Sequence, residues 1–144
     1  MDEEQRELVR TSFTKIALNP DMAAAMFYAR AFTIDPGLRQ LFKIDMVEQG
    51  RKLMEMLATV VDNLHKFDQI SPVIRDLGRR HVGYGVKHAD YDTFEAALLW
   101  AFEKVLGKDF TPAVRGAWAA CYQTLVQEMK EGDDRLIETT DPRL

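Results

Sequence analysis

The sequence predicts an all-α protein of six or seven helices. Three observations lead there. Apolar residues recur at three- and four-residue steps along most of the 144 residues. The corners between these stripes are marked by a capping side chain followed directly by proline. No run shows the two-residue alternation of a strand. The helices are too unequal in length, and the corners too rich in cap-plus-proline pairs, for an up-and-down bundle. Crossed, ridges-into-grooves packing that leaves a pocket between helices is therefore expected.

Taken in order, Val9, Phe13 and Ile16 form the stripe of a first helix. Asn19-Pro20 supplies an N-cap and a first-turn proline for a second, with an expected stripe of Met22, Met26, Ala29 and Phe32. Asp35-Pro36 repeats the device for a short third helix to about Phe42, carrying Leu38, Leu41 and Phe42 into a corner at Lys43 to Met46. The next helix, about Val47 to Leu64, places Gln49, Leu53, Leu57, Val60 and Leu64 on one face. An amide on an apolar stripe needs a partner, which makes Gln49 a candidate pocket residue. After a loop around Phe67 to Gln69, Ser71 is expected to cap and Pro72 to open a helix. On it Val73, Leu77 and His81 fall on one line at four-residue steps, and Gly83 and Gly85 break it at once. Asp92 with Glu95 reads as a capping box for a helix containing Phe94, Leu98, Leu99 and Phe102, closed by Gly107. Thr111-Pro112 opens the last helix, with the stripe Val114, Trp118, Tyr122, Leu125 and Met129, and Gly132 ends it.

One domain is expected over residues 1–131, with a polar tail over 132–144. A hydrophobic fraction of 47% and a charged fraction of 29% are ordinary for a soluble globule, and the net charge of −4 argues against nucleic acid as a partner. The acidic start Met1-Asp2-Glu3-Glu4 is not a leader, and the apolar run Ala96 to Phe102 is too short to span a bilayer. A cytoplasmic protein without membrane insertion is the expectation. Cys121, the single cysteine, excludes an internal disulfide and reads as a buried thiol.

Several chemistries lack their residues. Ser12 and Ser71 have none of the flanking glycines of a nucleophile elbow, and Gly83-Tyr84-Gly85-Val86-Lys87-His88 lacks the third glycine of a dinucleotide loop. None of His65, His81 and His88 has a glutamate three residues before it, which excludes a di-iron bundle, and no zinc spacing occurs. What remains is one histidine and one glutamine on apolar faces of different helices, with aromatics nearby. His81 is then either a hydrogen-bonded core residue or an axial ligand. A single imidazole cannot hold a bare ion tightly, but it can complete the coordination of a metal already held in a macrocycle, as in haem.

Leu77-Gly78-Arg79-Arg80-His81, followed by Gly85-Val86, together with Phe42, Trp118, Tyr122 and the set Tyr28, Gln49 and Leu53, resembles the globins over about Glu4 to Met129. The likeness is nearest to single-domain bacterial globins related to the haem domain of flavohaemoglobins, with neuroglobin-like features. The resemblance implies a globin fold, three helices crossed over three around a haem b pocket, with His81 as the iron ligand. It implies Tyr28 and Gln49 as the distal, catalytic pair, and Phe42, Leu53, Leu57 and Leu77 against the cofactor. Val86, Tyr91, Phe94 and Leu98 complete those contacts, with Lys52 and Arg80 (and Arg51) reaching the propionates. Tyr91 matches the family's proximal tyrosine, whereas the family's proximal glutamate falls at Asp133, leaving Glu131 as the alternative. His65 and His88 are expected on the surface, and Met22, Met26, Met46, Met54 and Met56 as core filler.

The implied function is reversible binding of O2, NO and CO at five-coordinate iron with strong distal hydrogen bonding, supporting nitric oxide dioxygenation. The flavin- and nicotinamide-binding reductase domain of flavohaemoglobins is not in the 144 residues, so a separate reductase is the expected partner. Oxygen storage or delivery, gas sensing, and a haem-free interaction module remain as alternatives. The sequence does not fix the oligomeric state.

Overall fold

The computed structural model describes residues 1–42 and 45–133. The expected corner at Lys43 and Ile44, and the expected tail from residue 134 onward, lie outside the described residues. Among the described residues there are six α-helices: α1 (Glu3–Ile16), α2 (Pro20–Ile34), α3 (Met46–Asp62), α4 (Phe67–Tyr84), α5 (Asp90–Leu106) and α6 (Pro112–Glu131). A 3-10 helix, Pro36–Leu41, stands between α2 and α3, and shorter 3-10 turns precede α4 and follow α5. α1, α3 and α4 make one layer across α2, α5 and α6, with α1 and α4 packed on α6 and α3 packed on α2.

The cap-plus-proline corners form as their chemistry requires. Asn19 accepts from the Met22 amide (3.3 Å), Asp35 from Gly37 (3.1 Å) and Thr111 from Val114 (3.2 Å), each satisfying an amide that the first helical turn leaves without a partner. Gly107 closes α5 at φ 58°, a left-handed φ that glycine adopts without strain.

Other expectations are corrected. α2 buries Ala23, Ala24, Phe27, Tyr28 and Ala31, while Met22 and Ala29 face outward; the core line lies one position away from the expected stripe. α4 starts at Phe67, so the expected loop at 67–69 is its first turn, and Ser71-Pro72 lies inside the helix. Only the Pro72 N–H is lost there, and the burial of Ile70, Ile74 and Gly78 against the core holds the turn together. Val73, expected on the core line, is 49% exposed. α5 begins at Asp90, whose carboxylate accepts from the Lys87 amide (2.9 Å), and Glu95 accepts instead from the Gln123 side chain (2.8 Å), so the Asp92–Glu95 box does not form. Of the methionines, Met54 is buried, Met26, Met46 and Met56 are half-buried, and Met22 is exposed.

Two close approaches tie α4 to α6. A Cβ on Gly78 would run into the Met129 carbonyl, and one on Gly132 into the Arg75 carbonyl, so the two backbones meet where only glycine fits. Trp118, buried on α6, donates its indole N–H to Ser12 Oγ (2.8 Å), and Phe102 packs edge-on against it at 4.7 Å between ring centres. Cys121 is free and buried, and burial pushes its thiol up to about 12. Among the described residues no helix is long and apolar enough to cross a membrane.

Candidate functional site

α3 packs on α2, α4 packs on α6, and α3 and α4 have next to no direct contact with each other. The gap between them is where the sequence places its chemistry. Leu77 and His81 are half-buried on α4, one position round from the core line of Ile70, Ile74 and Gly78. The His81 Nδ1 donates to the Leu77 carbonyl oxygen at 2.8 Å. A carbonyl can only accept, so the proton sits on Nδ1 and Nε2 keeps its lone pair. Burial lowers the pKa of His81, with the Arg80 charge acting the same way and the Leu77 bond opposing both, which favours this neutral form.

Gly85 and Val86 fix the end of the helix beside that imidazole. Gly85, at φ 96°, donates to the Val82 carbonyl (3.0 Å), and Val86 donates to the His81 carbonyl (3.0 Å). This pair of bonds is a Schellman stop, with buried Val86 turned back under the last turn. The stop is made by Gly85 alone; Gly83, expected to break the helix, is an ordinary helical residue with open space where a side chain would be. Tyr91, buried, stacks alongside the His81 ring at 6.3 Å and 26°, and its carbonyl accepts from the Tyr122 hydroxyl (2.8 Å).

On the opposite wall, Tyr28 is 6% exposed on α2, edge-on to Phe27 (4.8 Å) and Phe42 (5.2 Å). Burial pushes its hydroxyl up to about 12, with the Gln49 side chain acting the other way. Gln49, half-buried near the start of α3, is thus near enough to Tyr28 to act on its hydroxyl. Leu53 and Phe42 are half-buried; Leu57, Phe94 and Leu98 are buried, with Leu57 and Leu98 facing one small void that reaches Trp118. The remaining expected contacts stand apart. Lys52 is exposed 4.0 Å from Glu48, and Arg80 is exposed and ion-paired to Asp76 at 3.1 Å. Arg51 lies 3.9 Å from Asp21.

Of the two candidate proximal acids, Asp133 is the one turned inward. Glu131 turns outward to Arg75 (3.2 Å), whereas Asp133 is 1% exposed and accepts from His88 Nε2 at 2.7 Å. His88 is thus half-buried instead of a free surface residue, with its ring 6.4 Å from that of Tyr91. Sequence reasoning missed this pair because its members lie on the α4–α5 turn and just past α6, with no periodicity linking them. His65 is on the surface as expected, held by Glu3 (2.7 Å) and Arg10 (2.9 Å).

The donor set fits a metal that brings most of its own coordination. Among the described residues no three His, Cys, Asp or Glu side chains converge on one point, while the His81 Nδ1 alone is engaged, leaving Nε2 to ligate, and Leu53, Leu77 and Phe42 are apolar side chains only partly covered by the core. A flat, apolar macrocycle with one open axial position matches those side chains.

Three helices over three, with a half-buried imidazole on α4 and a buried phenol on α2, define an all-helical protein of the haem-pocket kind. The globin family profile matches residues 25–129, and the chain belongs to the globin family, whose fold binds haem and gas ligands such as O2. Among its relatives, neuroglobin of Tetraodon nigroviridis is 25% identical over 92% of each chain, and that of Danio rerio 24% identical over the same shares. Solved structures similar to it include an engineered carbene transferase built on a protein described as a nitric oxide dioxygenase of Rhodothermus marinus (TM-score 0.86, 24% identity, 96% of this chain and 97% of that one). A bacterial globin of Campylobacter jejuni gives a TM-score of 0.83 at 20% identity (95% and 99% covered). A hexacoordinated haem protein of an anhydrobiotic tardigrade gives 0.82 at 15% (92% and 94%).

Proposed function

We propose that the protein holds haem b through His81 Nε2 and oxidises nitric oxide to nitrate with O2, in the cytoplasm, drawing its electron from a separate flavin- or nicotinamide-dependent reductase. Nitric oxide, dioxygen and one electron balance to nitrate. The observation that carries the reading is the bond from His81 Nδ1 to the Leu77 carbonyl, which orients the ring and leaves Nε2 free to ligate. Bound haem iron supplies reversible gas binding and one-electron redox chemistry.

The chain's own residues do the rest. Tyr28, protonated throughout the physiological range, is a hydroxyl donor, and the Gln49 amide beside it is a second donor. Both favour a ligand that gains negative charge, as O2 does on binding, over neutral CO. The apolar flank of Phe27 and Phe42 keeps water from Tyr28. The other two histidines are tied to Glu3 and to Asp133, which supports five-coordination. The description of the Rhodothermus protein as a nitric oxide dioxygenase supports choosing dioxygenation over storage.

Purified protein supplied with a reductase, NADH, O2 and nitric oxide is expected to form nitrate in step with nitric oxide consumption. His81→Gly should lose most of its haem and regain a five-coordinate spectrum when imidazole is added. Full haem retention without imidazole would remove His81 from the iron.

A further inference from the structure

A second space lies on the outer flank of α2. It is a cavity of about 290 Å³ whose α2 wall is Asp21, Ala24, Ala25, Tyr28, Ala29 and Phe32. These positions, at steps of three and four, are one face of a helix. The eleven steps from Asp21 to Phe32 rise roughly 16 Å at about 1.5 Å each, so the space is a slot and not a sphere. Its other side is Met46, Val47 and Gly50 at the start of α3. Gly50 faces Ala24 so closely that a Cβ there would lie 2.9 Å from the alanine methyl, which keeps the slot narrow. None of Leu53, Leu57, Leu77 and His81 lines it, so it is separate from the gap between α3 and α4, with Tyr28 alone shared between the two.

The two ends of the slot differ in charge. At one, the Arg39 guanidinium lies 5.5 Å above the Phe32 ring and has no carboxylate partner among the described residues. At the other stands Asp21, with Arg51 3.9 Å away on the solvent side. The residues between them, Ala24, Ala25, Ala29, Phe32 and the Tyr28 ring with Met46, Val47 and Gly50, are apolar. A bore of this length and volume suits one unbranched hydrocarbon chain better than a ring system, since a cavity of about 150 Å³ already takes a benzene. The guanidinium suits a carboxylate at the chain's end. Asp21 repels a carboxylate at the opposite end and so sets the direction of entry.

We propose that this slot binds one medium-chain fatty acid, with its carboxylate on Arg39 and its chain laid along α2 toward Asp21. The site goes beyond the haem function and does not depend on it. The test is calorimetric titration of the purified protein, reduced and saturated with CO so that a carboxylate cannot reach the iron, with decanoate and with decanol. Were the protein to hold no haem, the same titration on the chain as purified would still decide the question.

One decanoate is expected per chain. Ala25→Leu, filling the middle of the slot, should weaken decanoate at least tenfold with the absorption spectrum unchanged. Arg39→Gln should weaken decanoate tenfold to hundredfold, the worth of one charge-assisted bond, and leave decanol within a factor of two. No saturable binding, wild-type affinity in Ala25→Leu, or no loss in Arg39→Gln would each overturn the proposal.

Discussion

At the scale of single residues, the protein's chemistry rests on polar atoms placed on apolar faces. Tyr28 keeps its proton because burial raises its hydroxyl to about 12, so it donates a hydrogen bond over the whole working range. Hydrogen bonds to charged partners contribute about 1.5–3 kcal/mol, so Tyr28→Phe should speed O2 dissociation roughly tenfold to hundredfold in stopped-flow measurements. In the wild type that rate should be flat from about pH 6 to about pH 10, because the donor does not ionise there. An unchanged rate in the variant would remove the hydroxyl from ligand binding. Tyr28, Gln49 and His81 were legible in the sequence because each is an anomaly in an apolar stripe or a matched motif. The pairing of Asp133 with His88 was not. His88 and Asp133 come from distant turns, and nothing in either local sequence announces that a carboxylate 1% exposed meets an imidazole at 2.7 Å. Nor do Lys52 and Arg80 declare from sequence that Glu48 and Asp76 hold them.

At the scale of elements, caps were legible and faces less so. Asn19-Pro20, Asp35-Pro36 and Thr111-Pro112 work within four residues and need no knowledge of the rest of the chain. α4 shows where such local logic stops. Ser71-Pro72 looks like a helix start, but the helix begins at Phe67 because Ile70 and Ile74 are buried, and tertiary burial outweighs one missing hydrogen bond. The same packing makes Gly78 indispensable, since its missing side chain is the space the Met129 carbonyl occupies. Gly78→Ala should destabilise the fold by about 1–3 kcal/mol through overpacking. Gly83→Ala, five residues along the same helix with open space around it, should instead stabilise by about 0.5–1 kcal/mol through helix propensity. Chemical denaturation of both variants checks the pair, and equal effects would mean that α4 and α6 can part without loss.

For the whole molecule, the decisive fact is which helices touch. α3 leans on α2 and α4 on α6, so the fold holds each wall of the gap independently and leaves the space between them for something else to fill. Ligand that binds only the folded gap stabilises it by mass action. Extraction of haem should therefore raise amide exchange through α4 while α2, α5 and α6 stay protected, as hydrogen-exchange mass spectrometry would read. Unchanged protection in α4 would mean that the gap is closed without cofactor. The same layout gives the residues just past α6 an unusual reach. Asp133, the first residue past Gly132, is clasped by His88 on the turn that carries Tyr91 against the imidazole. A substitution of either partner of that clasp would act like a tiller on the imidazole's side of the molecule, swinging the turn that holds Tyr91 beside His81.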